Sequence, residues 1–158
     1  MNDKGQAKTL IARYQQNIYA LVLYLIGADQ DVAYEICAAS FAETLSGSSP
    51  TENEETFFNK LIRAAVTKSR TARALPVSHE LEFLDLSRTE KGPLRAILGA
   101  FQTLDFDEKA FILLRDQTNR SYKDIAVSMG ISESSARQKT IQARIRFREK
   151  LEEAVNGE

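Results

Sequence analysis

Ser121-Tyr122-Lys123-Asp124-Ile125-Ala126-Val127-Ser128-Met129-Gly130-Ile131-Ser132-Glu133-Ser134-Ser135-Ala136-Arg137-Gln138-Lys139 is the stretch from which the fold is read. Ser121 followed by Asp124 has the form of a capping box, in which the hydroxyl accepts an N–H three residues on and the carboxylate reaches back. Ile125, Ala126 and Met129 then share one side of a short helix, and Gly130 supplies the left-handed conformation that ends it. Ile131 reads as a buried hinge, and Ser132 caps the next helix. A cap, a short helix with an inner alanine, a Gly-Ile-Ser turn and a second helix have the spacing of a helix-turn-helix. Such a unit presents its second helix to a major groove. Ala126 is small where the two helices approach.

The second helix divides into two faces. Ala136, Thr140, Ala143, Phe147 and Leu151 follow an inward stripe, while Arg137, Lys139, Arg144, Arg146, Arg148 and Lys150 project elsewhere. Between Ser132 and Lys150 six cations stand against two acids, Glu133 and Glu149, within a chain whose net charge is −1. A cationic helix is in general a solvated surface. The capped turn directly ahead of this one favours a DNA-binding helix instead. Ser134, Ser135, Arg137 and Gln138 suit base edges, and the later arginines suit phosphates.

Working outward, the rest of the chain is helical too. Leu10, Tyr14, Asn17 or Ile18, Leu21 and Leu25 recur at helical steps up to Gly27. Asp29 or Asp31 can cap a second helix bearing Val32, Ile36, Phe41 and Leu45, which Ser46-Gly47-Ser48-Ser49-Pro50-Thr51 breaks. A third run carries Phe57, Phe58, Leu61, Ile62, Ala65 and Val66. Residues 75–92, flanked by Pro76 and Pro93, mix acids with scattered apolar side chains and read as a linker. Segments at about 93–103, 107–117, 122–129 and 133–153 follow. The expected fold is all-α: two small helical domains, residues 1–75 and 92–158, joined by a linker at 76–91, the C-terminal one a helix-turn-helix.

Composition narrows the function. The chain has 158 residues, 43% hydrophobic and 27% charged, with 21 basic and 22 acidic side chains. One cysteine forms no internal disulfide, and one cysteine with one histidine builds no four-ligand zinc site, so no metal or other cofactor is expected. The first eight residues lack the basic-then-apolar order of a secretion signal. The apolar stretch from Ile18 to Ile26 is about half the ~20 residues a membrane span needs. A soluble cytoplasmic protein is expected. With no paired carboxylates, nucleophile–base set or phosphate loop, an enzyme is not.

A second basic run holds Lys60, Arg63, Lys68, Arg70 and Arg73, with no acid from Asn59 to Ala74. Phe57 and Phe58, just upstream, could stack on unpaired bases or fill a core. Cys37 falls in an apolar pattern and reads as a small core residue. His79 reads as an exposed linker residue, and Glu52, Glu54 and Glu55 as favourable charge at a helix start.

Together these segments resemble an extracytoplasmic-function (ECF) sigma factor of the sigma-70 family. The clearest matches are Leu104-Asp-Phe-Asp-Glu-Lys-Ala-Phe-Ile-Leu-Leu-Arg-Asp116, Ser121-Tyr-Lys-Asp-Ile-Ala126, and Met129 onward through Gln142-Ala-Arg-Ile-Arg-Phe-Arg148. They look like the family's fourth conserved region, which binds the minus-35 promoter element. The resemblance places Ser134, Ser135, Arg137, Gln138, Lys139 and Arg144 on the DNA-contacting helix. In the N-terminal half, Ala33-Tyr-Glu-Ile-Cys-Ala-Ala-Ser-Phe41 falls where the family docks on polymerase, implying Glu35, Ile36 and Phe41 as contacts. Phe57-Phe-Asn-Lys-Leu-Ile-Arg63 resembles the segment beside the minus-10 element, implying Arg63, Lys68, Arg70 and Arg73. The family's glutamine position is Ala38 here, and its asparagine and aspartate positions are Ala64 and Lys68.

The resemblance implies an alternative sigma factor whose partners are core RNA polymerase, promoter DNA and an anti-sigma factor. Two other functions fit the same residues. One is a helix-turn-helix regulator that never engages polymerase. The other is a sigma mimic that sequesters an anti-sigma factor.

Overall fold

A computed structural model describes residues 3–27, 29–49, 52–72 and 93–156; the expected linker at 76–91 and Arg73 lie outside the described residues. The chain divides into two compact units, Met1–Pro76 and Val77–Glu158. Every regular element among the described residues is helical, so the fold class is all-α.

The first unit is a three-helix bundle of α1 (Asp3–Ile26), α2 (Gln30–Ser46) and α3 (Glu54–Ala72), each packed on the other two. The Asp29 carboxylate accepts the Val32 N–H at 3.1 Å and so starts α2. Asn53 does the same for α3, accepting the Thr56 N–H at 2.7 Å. The core holds Ile18, Leu21, Val22 and Leu25 from α1, Ala33, Ile36, Cys37 and Phe41 from α2, and Phe57, Phe58, Leu61, Ile62 and Val66 from α3. Tyr14 stacks on Phe58, ring centroids 4.2 Å apart. The buried hydroxyls of Ser40 and Thr44 donate to the carbonyls of Ile36 and Ser40, each at 2.7 Å, so these polar groups cost α2 little. Burial also raises the Cys37 thiol above its ordinary pKa, as suits a core residue.

The second unit packs α4 (Pro93–Gln102), α5 (Phe106–Ile112) and α6 (Tyr122–Met129) against the long α7 (Glu133–Asn156). Leu98, Phe101, Leu104, Phe106, Phe111, Leu114 and Ile125 fill its core. On α7 the buried residues are Ala136, Thr140 and Ala143, as the inward stripe predicted, while Phe147 and Leu151 are only half-buried. Phe147 meets Phe101 edge to face at 5.9 Å. One departure is local. The helix expected over 107–117 widens after Ile112 into a π turn, Leu113–Gln117. There the Thr118 N–H donates to the Leu113 carbonyl at 3.0 Å, and Arg120 to Leu114 at 2.8 Å. Asn119 follows at φ 53°, a left-handed conformation that asparagine tolerates.

Gly130 ends α6 at φ 70° with its N–H on the Ala126 carbonyl, as the turn reading requires. A Cβ there would meet nothing within 4 Å, and the same holds for Gly99 inside α4. The two glycines therefore separate backbone strain from packing. Gly130→Ala is expected to destabilise the second unit by about 1–2 kcal/mol, the cost of a left-handed alanine. Gly99→Ala is expected to stabilise it by about 0.5–1 kcal/mol through helix propensity. Urea unfolding of the two variants checks both signs.

Candidate nucleic-acid interface

The helix-turn-helix forms through short-range bonds. Ser121 Oγ accepts the Asp124 N–H at 3.1 Å, capping α6, and Ser132 Oγ accepts the Ser135 N–H at 3.2 Å, capping α7. Ala126 and Ala136 are both buried, which allows α6 to lie close on α7. The first turns of α7 then stand in water with Ser134, Arg137, Gln138 and Lys139 exposed. Ser135 is half-buried, and its backbone N–H completes the cap.

The cations of α7 are not equivalent. Arg144 pairs with Asp116 of the π turn, its Nε donating to Oδ2 at 3.3 Å and its Nη2 to Oδ1. The hydrogen bond to Asp116 is the main cause holding the Arg144 guanidinium protonated beyond its ordinary range. Arg146 pairs with Glu108 of α5 at 3.3 Å, and Lys150 with Glu153 at 3.6 Å. Lys139 and Arg148 are exposed and, among the described residues, have no acid within ion-pair reach.

Tyr122, at the start of α6, was not singled out from the sequence, yet it organises this surface. The Arg115 guanidinium lies 4.5 Å from its ring centroid and that of Arg137 lies 5.2 Å away. Arg115 also donates to the Arg120 carbonyl at 2.9 Å, so the π turn holds one of these guanidinium groups in place. Cations over an aromatic face gain roughly 0.5–1 kcal/mol at exposed sites and lose side-chain freedom. The result is a cationic surface partly ordered before any anion arrives. Spacing alone does not reveal it, because Arg115, Tyr122 and Arg137 sit on three separate elements.

The basic run of α3 is less open than its composition implies. Lys68 pairs with Glu43 of α2 at 2.9 Å, and Lys60 pairs with Glu52. Arg63 and Arg70 are exposed. Phe57 and Phe58 are buried, which decides between stacking and core in favour of core. On α2, Glu35 is exposed, but Ile36 and Phe41 are only 8% and 6% exposed. Of the three residues expected to face polymerase, Glu35 is therefore the one that stands in solvent. Ile36 and Phe41 continue the stripe of Ala33, Cys37 and Ser40 into the bundle, and burying that stripe is what makes α2 pack. Tyr34, 69% exposed, stands beside Glu35 on the outer face.

One polar cluster ties α1 to α3. The Tyr14 hydroxyl donates to Glu54 Oε1 at 2.8 Å and the Arg13 guanidinium pairs with the same oxygen. Tyr14, then Arg13, hold the Glu54 carboxylate below its usual range. A carboxylate with a depressed folded pKa stabilises the fold above its unfolded value and loses that contribution as pH falls through the folded one. Both charges are well exposed, so solvent screens the pair. Glu54→Gln is therefore expected to lower the melting temperature by only about 1–3 °C at pH 7. The gap closes as both proteins are taken below about pH 4, which thermal melts across that range check.

Comparison with known proteins agrees with this geometry. Residues 94–147 match the family model described as Sigma-70, region 4. No curated protein matches the sequence. Among solved structures, that of CnrH in complex with the cytosolic domain of CnrY is similar at a TM-score of 0.73 and 17% identity. The match covers 94% of this chain and 89% of that one. Over residues 94–147 this chain is thus similar to sigma-70 region 4, and over nearly its whole length it has the fold of CnrH.

Proposed function

We propose that the chain is an alternative sigma factor of the ECF kind, which binds core RNA polymerase and directs it to specific promoters. The observation that carries this reading is the region 4 match over residues 94–147, coinciding with a doubly capped helix-turn-helix whose exposed front is Ser134, Arg137, Gln138 and Lys139. In this reading α7 enters the major groove of the minus-35 element by its N-terminal turns. Base edges are met by Ser134, Arg137 and Gln138, and phosphates by Lys139. Arg115 and Tyr122 brace Arg137 at the groove's edge. Arg144 reaches a phosphate only by giving up Asp116.

The N-terminal unit takes the part of the family's second region. Arg63, Lys68, Arg70 and Arg73 face the minus-10 element, and the outer face of α2 around Glu35 docks on polymerase. CnrH holds the cytosolic domain of another protein in its solved structure, which supports an anti-sigma partner for this chain as well. No helix among the described residues is long and apolar enough to cross a membrane, in keeping with action beside polymerase in the cytoplasm.

A second reading, a DNA-binding regulator that leaves polymerase alone, is favoured by the ion pairs that occupy Lys60 and Lys68 and by the burial of Ile36 and Phe41. Run-off transcription with purified core polymerase separates the two. A sigma factor yields a promoter-dependent transcript, and a regulator binds the same DNA without one. Arg137→Ala is expected to remove about 1–3 kcal/mol of discrimination at one base position, the usual value of a bidentate base contact. Asp116→Asn is expected to strengthen duplex binding severalfold at low salt and to steepen the salt dependence by about one phosphate contact, because it frees Arg144. Fluorescence anisotropy across a salt series measures both.

A further inference from the structure

We propose that Ile141 is a specificity-determining residue that packs against the C5-methyl group of a thymine in the upstream promoter element. This rests on the reading of α7 as the promoter-facing helix. Ile141 is 46% exposed. A single exposed isoleucine is unremarkable on a soluble protein, but its neighbours distinguish this one. Ile141 lies three residues from Gln138, four from Arg137 and seven from Ser134, so all four share one face of α7. With Glu133 and Gln142 they border one stretch of surface. Every other member of that surface carries a polar side chain able to hydrogen-bond. Ile141 is the apolar one.

A major groove offers an apolar partner at one kind of base, the methyl group of thymine. The axial distance fits. At about 1.5 Å per residue, Ser134 to Ile141 spans about 10 Å, within the ~12 Å width of the groove. Ile145, 48% exposed, stands a further turn along and beyond that width. It follows Arg144, which Asp116 holds. A β-branched side chain on a helix also has one strongly preferred rotamer, so the methyl contact forms with little ordering cost. Ile141 therefore stands ready to add a thymine to whatever Arg137 and Gln138 read.

The test uses the full chain with core polymerase. Duplexes are first selected from a random library, and each thymine of the upstream element is then replaced in turn by deoxyuridine, which lacks only the methyl group. Wild-type protein is expected to lose roughly three- to fivefold in affinity at one position, the value of one buried methyl-sized contact. Ile141→Ala is expected to show no loss at that position, Ile141→Val a reduced one, and Ile145→Ala the wild-type pattern. Ile141 is half-exposed, so these variants keep the fold. The inference is overturned if the selected element has no thymine, if no position responds, or if the penalty persists in Ile141→Ala. It is likewise overturned if Ile141→Ala weakens polymerase binding while the methyl penalty stays, which makes this face a protein-docking surface. Failure to select any sequence defeats the promoter reading itself, and is seen before a single deoxyuridine is introduced.

Discussion

The second unit depends on how thin α7 is along its inner edge. Ala136, Thr140 and Ala143 are buried almost completely, and their small side chains allow α4, α5 and α6 to converge on one helix. Larger residues at those positions would push the partners outward and open voids elsewhere, since cores tolerate added volume poorly. Thr140 keeps the stripe dry by returning its hydroxyl to the Ala136 carbonyl at 2.7 Å. A helix that buries so little of its circumference leaves the remainder in water. That remainder is where the cations stand, so the packing of α7 and its chemistry follow from one constraint.

The π turn belongs to the same arrangement. It ends α5 with Arg115 and Asp116 on a widened backbone, one stacked on Tyr122 and the other bonded to Arg144. A single short segment thus reaches both the start of α6 and the middle of α7. Widened turns of this kind are frequent at functional sites because they bring side chains to places a regular helix does not reach. Here the turn ties down the surface around the helix-turn-helix without adding to the core.

What could be read from the sequence was what depends on near neighbours. The caps at Ser121 and Ser132, the left-handed Gly130 and the inward stripe of α7 each involve residues within a few positions, and each stands where expected. Hydrophobic period also gave the three helices of the first unit. What escaped were effects with partners far along the chain: Asp116 on Arg144, Glu108 on Arg146, Glu43 on Lys68, and the ring of Tyr122 under two arginines. Ile36 and Phe41 are a different case: both are buried in the bundle, while Glu35, between them and Tyr34, faces solvent. A motif borrowed from a family marks a helix as important without saying which of its faces the partner meets, and the apolar members of such a motif belong by default to the core.

These long-range pairs change what the charge of α7 means. Its cations, counted from the sequence, suggest an evenly basic helix. In the fold most of the rear of α7 is neutralised in place, Arg144 by the π turn, Arg146 by α5 and Lys150 by its own helix, which leaves Arg148 as its open cation among the described residues. A phosphate approaching Arg144, Arg146 or Lys150 must displace a carboxylate, and exchange of one exposed anion for another releases few counterions. A phosphate approaching the front meets Lys139 with no such rival among the described residues. Two of the three cations of α7 outside these ion pairs, Arg137 and Lys139, therefore lie within the first turns beside Ser134 and Gln138, and Arg148 is the third. On the proposed function, a helix charged in this way favours entering a groove front first. On that reading the acids of α5 and the π turn, which look like a loss of binding energy, help to orient it.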